Sequence, residues 1–168
     1  MKTNYHTISF FLLSVAILMG CHHATENKAM AGIKKMPRFK ILSIDSATCL
    51  NSENIPAGKA SVFFYFDPEC EHCQKETDSI IKNKEKLKNV QFYFLSNSTP
   101  KEVSNFYNYY GLAGLKNVFV GIDYEYSFFN VFLPPSIPYM AIYNSDKRLS
   151  KVYYGAADIA SLIAYTRN

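Results

Sequence analysis

Cys70-Glu71-His72-Cys73 stands between a strand pattern and a helix pattern, and this placement constrains the fold more than any other stretch of the chain. Residues 61–66 (SVFFYF) form an unbroken apolar run, the pattern of a strand covered on both faces. Residues 74–87 place Ile80, Ile81, Lys84 and Leu87 near helical spacing, with lysines on the outer side that read as a solvated face. Two thiols three residues apart can share one helical turn and form or break a disulfide between them. A helix start favours the thiolate through its unpaired N–H groups and its dipole, and the thiolate is the reactive form.

The flanking segments predict an alternation of strands and helices. Residues 36–45 predict an edge strand, and 51–59 (NSENIPAGK) a loop. Residues 90–95 (VQFYFL) predict a second buried strand. Ser98 or Thr99, followed by Pro100, predicts the cap and first turn of a helix that Gly111 stops. A short strand over 118–122, a short helix over 123–132 and a rigid loop at Pro134-Pro135-Ser136-Ile137-Pro138 follow. Residues 139–143 and 148–154 predict a hairpin, which Gly155 ends before a closing helix over 156–166. Helix-linked strands imply a parallel portion and the hairpin adds antiparallel strands, so the expected class is α/β with a central mixed sheet flanked by helices.

The 168 residues suffice for one domain, and thirteen Phe and thirteen Tyr with no Trp imply a core built on aromatic rings. The formal charge of +4 is mild and spread out, and no basic stripe argues for a nucleic-acid partner.

The N-terminus reads separately. Lys2 precedes a 12-residue apolar stretch, Ile8 to Met19, which is short for a spanning helix of ~20 residues and suits the core of a signal peptide. It ends in Leu18-Met19-Gly20-Cys21, which resembles the processing signal of bacterial lipoproteins. The resemblance implies cleavage before Cys21 and lipid attachment there. The alternatives are an ordinary secretory signal with an incidental cysteine, or an uncleaved anchor. The expected organisation is a signal peptide over 1–20, a polar tether over 21–35 and a folded domain over 36–168, facing the periplasm from the inner or outer membrane of a bacterial cell envelope. In an oxidising compartment one CxxC is more consistent with catalysis than with a structural staple, because its loop is too small to constrain the unfolded chain much. Cys49 is left over and is expected to be a buried, inert apolar side chain.

Over residues 36–168 the chain resembles thioredoxin-fold proteins. It is most similar to the membrane-anchored thiol–disulfide oxidoreductases of the TlpA/ResA type, in the lipoprotein form common in Bacteroidetes. Four features carry the resemblance: the opening Met36-Pro37-Arg38-Phe39; the run Phe63 to Gln74 containing the CxxC; Ile137-Pro138 before an apolar strand, with Pro138 65 residues after Cys73; and Gly155 after the last strand. The resemblance implies that Cys70 attacks a substrate disulfide and that Cys73, inside the helix, resolves the mixed disulfide. It implies a cis bond before Pro138, with the backbone at Ile137 pairing to an extended substrate. Glu71 and His72 would tune the pair, His72 favouring the thiolate and the acids opposing it. No bound cofactor is called for; the partners would be protein thiols or disulfides, a redox partner protein, and the membrane through the lipid.

One departure stands out. Thioredoxin-fold reductants often hold a buried acid six residues before the first cysteine, and here that position is Phe64. Glu85 and Asp123 are conceivable substitutes. Three rival readings accompany the oxidoreductase. A thioredoxin-like binder of peptide or metal would lack turnover. A zinc half-site would need two more ligands at a suitable spacing. A thiol peroxidase on the same fold would usually place Thr three residues before the attacking cysteine, where this chain has Asp67.

Overall fold

The computed structural model describes residues 32–167. The proposed signal peptide, most of the tether and Cys21 lie outside the described residues. The chain divides into a unit ending at Lys34 and a unit beginning at Lys35, and the domain described here is the second.

Seven strands form one mixed sheet in the order β2-β1-β5-β4-β3-β6-β7. They are β1 (Lys40–Ser43), β2 (Cys49–Asn51), β3 (Ser61–Tyr65), β4 (Gln91–Ser96), β5 (Val118–Ile122), β6 (Tyr139–Tyr143) and β7 (Leu149–Tyr154). The helices that accompany them are α1 (Glu71–Lys82), α2 (Pro100–Tyr109), α3 (Ser127–Phe132) and α4 (Ile159–Thr166). β3, β4 and β5 are parallel, with α1 and α2 as their crossovers, and the expected α/β class holds. β6 runs antiparallel to β3 and turns into β7 through the predicted hairpin.

β3 is buried at every position, as its unbroken apolar run requires. Its alternate side chains feed two cores. Val62, Phe64 and Phe66 join Cys73 and Ile80 of α1, Val103 and Phe106 of α2, and Leu162 of α4. Phe63 and Tyr65 face an aromatic core under α3, where Phe63 packs on Tyr93 at 4.9 Å, Tyr65 on Phe128 at 5.2 Å and Phe128 on Phe132 at 4.1 Å between ring centroids. The absence of Trp is met by stacked and edge-on Phe and Tyr rings.

Four local expectations change. β1 is not an edge strand: β2 pairs outside it through Lys40↔Asn51 and Leu42↔Cys49, and β5 lies on its other side. Cys49, at the start of that edge strand, is exposed rather than buried. The helix after the CxxC stops at Lys82, where Asn83 closes it by donating its backbone N–H to Ile80 O and its side-chain amide to Ser79 O. The following lysine-rich segment continues as turns pinned by buried Leu87. The helix predicted over 123–132 begins only at Ser127, because Asp123 turns its carboxylate onto the start of that helix.

The cap predicted for α2 forms. Thr99 Oγ1 accepts from Glu102 N at 3.3 Å, and Glu102 Oε2 accepts from Thr99 N at 2.9 Å, a reciprocal box with Pro100 at the first turn. Thr99→Ala should cost about 1 kcal/mol in chemical denaturation, with the midpoint lowered and the denaturant slope unchanged. Gly121, inside β5, answers a close approach: a Cβ there would meet Ile41 Cγ2 and, at 2.8 Å, the backbone oxygen of Leu42.

Candidate redox site

The parallel strands end at one edge of the sheet, and their following loops meet there. β3 leads through Phe66 to a turn organised by Asp67. The Asp67 carboxylate accepts from Glu69 N at 2.8 Å, its backbone oxygen accepts from Cys70 N at 3.1 Å, and Ser98, after β4, donates to its other oxygen at 3.5 Å. This turn sets Cys70 as the N-cap residue of α1, with extended backbone and a half-buried side chain. Glu71 and His72 occupy the exposed first turn, and Glu71 pairs with Lys75 at 3.5 Å.

Cys73 lies one turn into α1 and is fully buried. Burial pushes its thiol well above the usual thiol range; the backbone N–H of Asp67 works against this, while a hydrogen bond and charge from Cys70 add to it. The two thiols differ: one sits at a helix N-terminus, partly open, and the other is dry and holds its proton. Both thiols are free.

Because β6 is antiparallel to β3, its beginning lies beside the end of β3, with Tyr65 opposite Tyr139. This brings Ile137-Pro138 to the same edge of the sheet as the turn that carries Cys70. The Ile137–Pro138 bond is cis. Gly155, at a φ of 109°, donates its N–H to Pro138 O at 2.7 Å and ties the loop to the end of β7. Ile137 is 39% exposed, and among the described residues no hydrogen bond engages its backbone.

Phe64 stands where a buried acid was looked for, and the structure buries an acid elsewhere on the same side of the sheet. Neither named substitute serves. Glu85 is exposed. Asp123 is buried but fully employed: its oxygens accept from Phe128 N at 3.0 Å, Phe129 N at 2.9 Å, Ser127 Oγ at 3.3 Å and Tyr65 Oη at 3.3 Å. The buried acid is Glu76, three residues after Cys73 and on the same buried face of α1, 3% exposed. Its Oε2 accepts from Ala157 N at 3.1 Å, and among the described residues its Oε1 has no partner. Burial raises its pKa from 4.5 to about 7; the Ala157 N–H opposes the shift and the charge of Asp158 adds to it. The signal available in sequence was the spacing Cys73, Glu76, Thr77, Ile80, which puts an acid on the apolar stripe of the helix.

Among the described residues no three His, Cys, Asp or Glu side chains gather as a metal site, and no helix is long and apolar enough to cross a membrane.

The strand order, the cysteine pair at the start of α1 and the cis-proline at the same edge of the sheet define a thioredoxin-like fold. Solved structures agree. MTB dsbF matches with a TM-score of 0.65 at 19% identity, over 80% of this chain and 94% of that one. A secreted Mycobacterium tuberculosis disulfide oxidoreductase homologous to E. coli DsbE matches at 0.64 and 16%, over 80% and 96%. StoA from Bacillus subtilis matches at 0.59 and 14%, over 76% and 95%. At these identities the likeness is one of fold. Comparison with protein-family models finds no match, and comparison with curated protein sequences finds none.

Proposed function

We propose that the protein is an exported thiol–disulfide oxidoreductase, held at the membrane by lipid on Cys21, that exchanges electrons with protein cysteines through Cys70 and Cys73. The observation that supports this most is the asymmetry of the pair: a half-buried thiol at a helix N-terminus beside a fully buried, protonated one. A structural staple needs no such difference; a two-step exchange does. A solved structure of the same fold is a secreted disulfide oxidoreductase, which agrees with the reading.

In the reductive direction the Cys70 thiolate attacks one sulfur of a substrate disulfide. A Cys70–substrate disulfide forms, and the other substrate sulfur leaves and takes a proton. Cys73 then loses its proton and attacks Cys70. The Cys70–Cys73 disulfide forms and the second substrate sulfur leaves as a thiol. The substrate gains two electrons and two protons, and a partner dithiol returns them to the pair. The reverse sequence oxidises a dithiol, and the potential of the pair relative to its partner sets the direction. The Ile137 backbone pairs with the extended substrate, and His72 and Glu71, on the exposed turn between the thiols, adjust the poise.

Cys73 cannot attack while it holds its proton. Glu76 supplies the acceptor: a carboxyl one turn along the same face, with one oxygen unpartnered and a pKa of about 7, near the value that suits a general base at neutral pH. This gives the unsatisfied oxygen a use, where an idle buried acceptor would only destabilise.

A redox titration of the full chain tests the function. A reversible two-electron couple assigned by mass to Cys70 and Cys73 is expected. A pair that stays oxidised under all physiological dithiols would favour a peptide binder without turnover. The anchor has its own test: labelled palmitate should enter the chain in bacteria and be lost in Cys21→Ser.

A further inference from the structure

Beside the redox turn lies a cleft of about 340 Å³ that the exchange chemistry leaves unused. Glu69 forms one wall, directly before Cys70, and Glu102, Asn105, Phe106, Tyr109 and Tyr110 of α2 form the other. We propose that this cleft seats a cationic side chain, arginine above all, from the polypeptide whose cysteines meet Cys70. The inference rests on the oxidoreductase reading and adds to it a substrate preference: an arginine a few residues from the reactive cysteine.

Charge is the first argument. The chain carries a net +4, yet the residues lining the cleft include two carboxylates and no Lys, Arg or His. The two acids are held differently. The Glu69 backbone is fixed by its N–H bond to Asp67, which leaves its carboxylate exposed at the cleft. Glu102 Oε2 accepts from Thr99 N and, at 2.7 Å, from Thr99 Oγ1, and these bonds hold the carboxyl below its usual range and therefore ionised. A neutral apolar segment would bury these charges without compensation, whereas a cation answers them.

The second argument is the aromatic wall. Tyr109 is 84% exposed, an unusual position for a large ring. It is not loosely placed: it meets Tyr110 edge-on at 5.0 Å, Tyr110 packs on Phe106 at 4.5 Å, and Phe106 packs on Phe66 at 4.5 Å, so the stack runs from the cleft into the core below the redox turn. An anchored ring with an open face, beside carboxylates and the Asn105 amide, matches a guanidinium, which is planar, donates in several directions and stacks on π faces. Lysine satisfies the charge but not the plane. The location supplies the third argument: Pro68 and Glu69 belong both to the cleft and to the turn that presents Cys70, so a chain bound at Cys70 passes this wall.

Binding to the full chain tests the proposal. The probes are two labelled peptides in which serine replaces cysteine, one with arginine three residues away and one with its uncharged isostere citrulline. The arginine peptide should bind about fivefold more tightly at low salt, as expected for an exposed cation with carboxylate and aromatic partners, and 0.5 M salt should shrink the preference. The double variant Glu69→Gln, Glu102→Gln should bring it close to unity, since glutamine retains the helix cap while losing the charge. Tyr109→Leu should cut it by about half, a ring effect distinct from charge. Equal binding of the two peptides to the native chain, or a preference that survives the double variant, overturns the proposal. Disulfide forms of the same peptides separate it from the reading it rests on. A chain that prefers arginine but exchanges with neither peptide keeps the cleft and loses the oxidoreductase. A chain that exchanges with both and binds both alike loses the cleft alone.

Discussion

Cys70→Ser should lower disulfide exchange on a model protein roughly a thousandfold or more, because a hydroxyl at neutral pH cannot replace a thiolate as the attacking group. The fold should persist, since Cys70 is half-buried and holds α1 through its backbone: Cys70 O accepts from Gln74 N at 3.0 Å, and Cys70 N donates to Asp67 O. Cys73→Ala should fail differently. Its Cys70 still attacks, but nothing resolves the product, so a stable Cys70–substrate disulfide should accumulate and be visible as an added mass under non-reducing conditions. The two variants together test the order of the steps as well as their existence. If Cys73→Ala accumulates no adduct while Cys70→Ser does, the nucleophile and the resolving thiol have been exchanged in the assignment.

Glu76 carries the second large effect, with two independent readouts. In single-turnover experiments the release of the second substrate thiol should speed up with rising pH through about 7, as the carboxyl becomes able to accept a proton. In Glu76→Gln this limb should vanish and the step should slow by about a hundredfold. Stability supplies the other readout. The folded state holds the Glu76 proton up to about 7, whereas the unfolded chain releases it near 4.5, so in that window the folded state binds more protons than the unfolded state. Stability from this group is therefore greatest below 4.5, falls as pH rises to about 7 and is level above. A drop of about 3 kcal/mol across the window is expected. Glu76→Gln should flatten that slope. An unaltered slope in the variant would mean that another group titrates there.

Much of the site was legible because it is built from contiguous chain. The apolar run ending in Phe66, the cysteines that follow and the helix behind them encode their own local geometry: a covered strand, a turn, and an N-cap residue with its partner one turn inside. The cap at Thr99 and the hairpin of β6 and β7 were legible for the same reason. β2 was not. Three residues are too few to show a period, and a strand that short exists only because β1 offers a ladder. Cys49 followed it to the surface.

Glu76 marks the boundary between local and distant information. Within α1 it is one acid among several, and an acid on a helix ordinarily faces water. It is buried in the folded chain, where Ala157, 81 residues away, donates a hydrogen bond to its carboxylate. The cleft beside Cys70 has the same origin, since Glu69 and Tyr109 come together only when α1 and α2 pack on one face of the sheet. Sequence alone determined the order of the strands and helices other than β2, the class of fold and the two thiols on one turn, because hydrophobic period and capping act over a few residues. Tertiary structure decided which groups surround those thiols, which acid is dry and which ring is open, because desolvation and charge depend on neighbours brought from elsewhere in the chain.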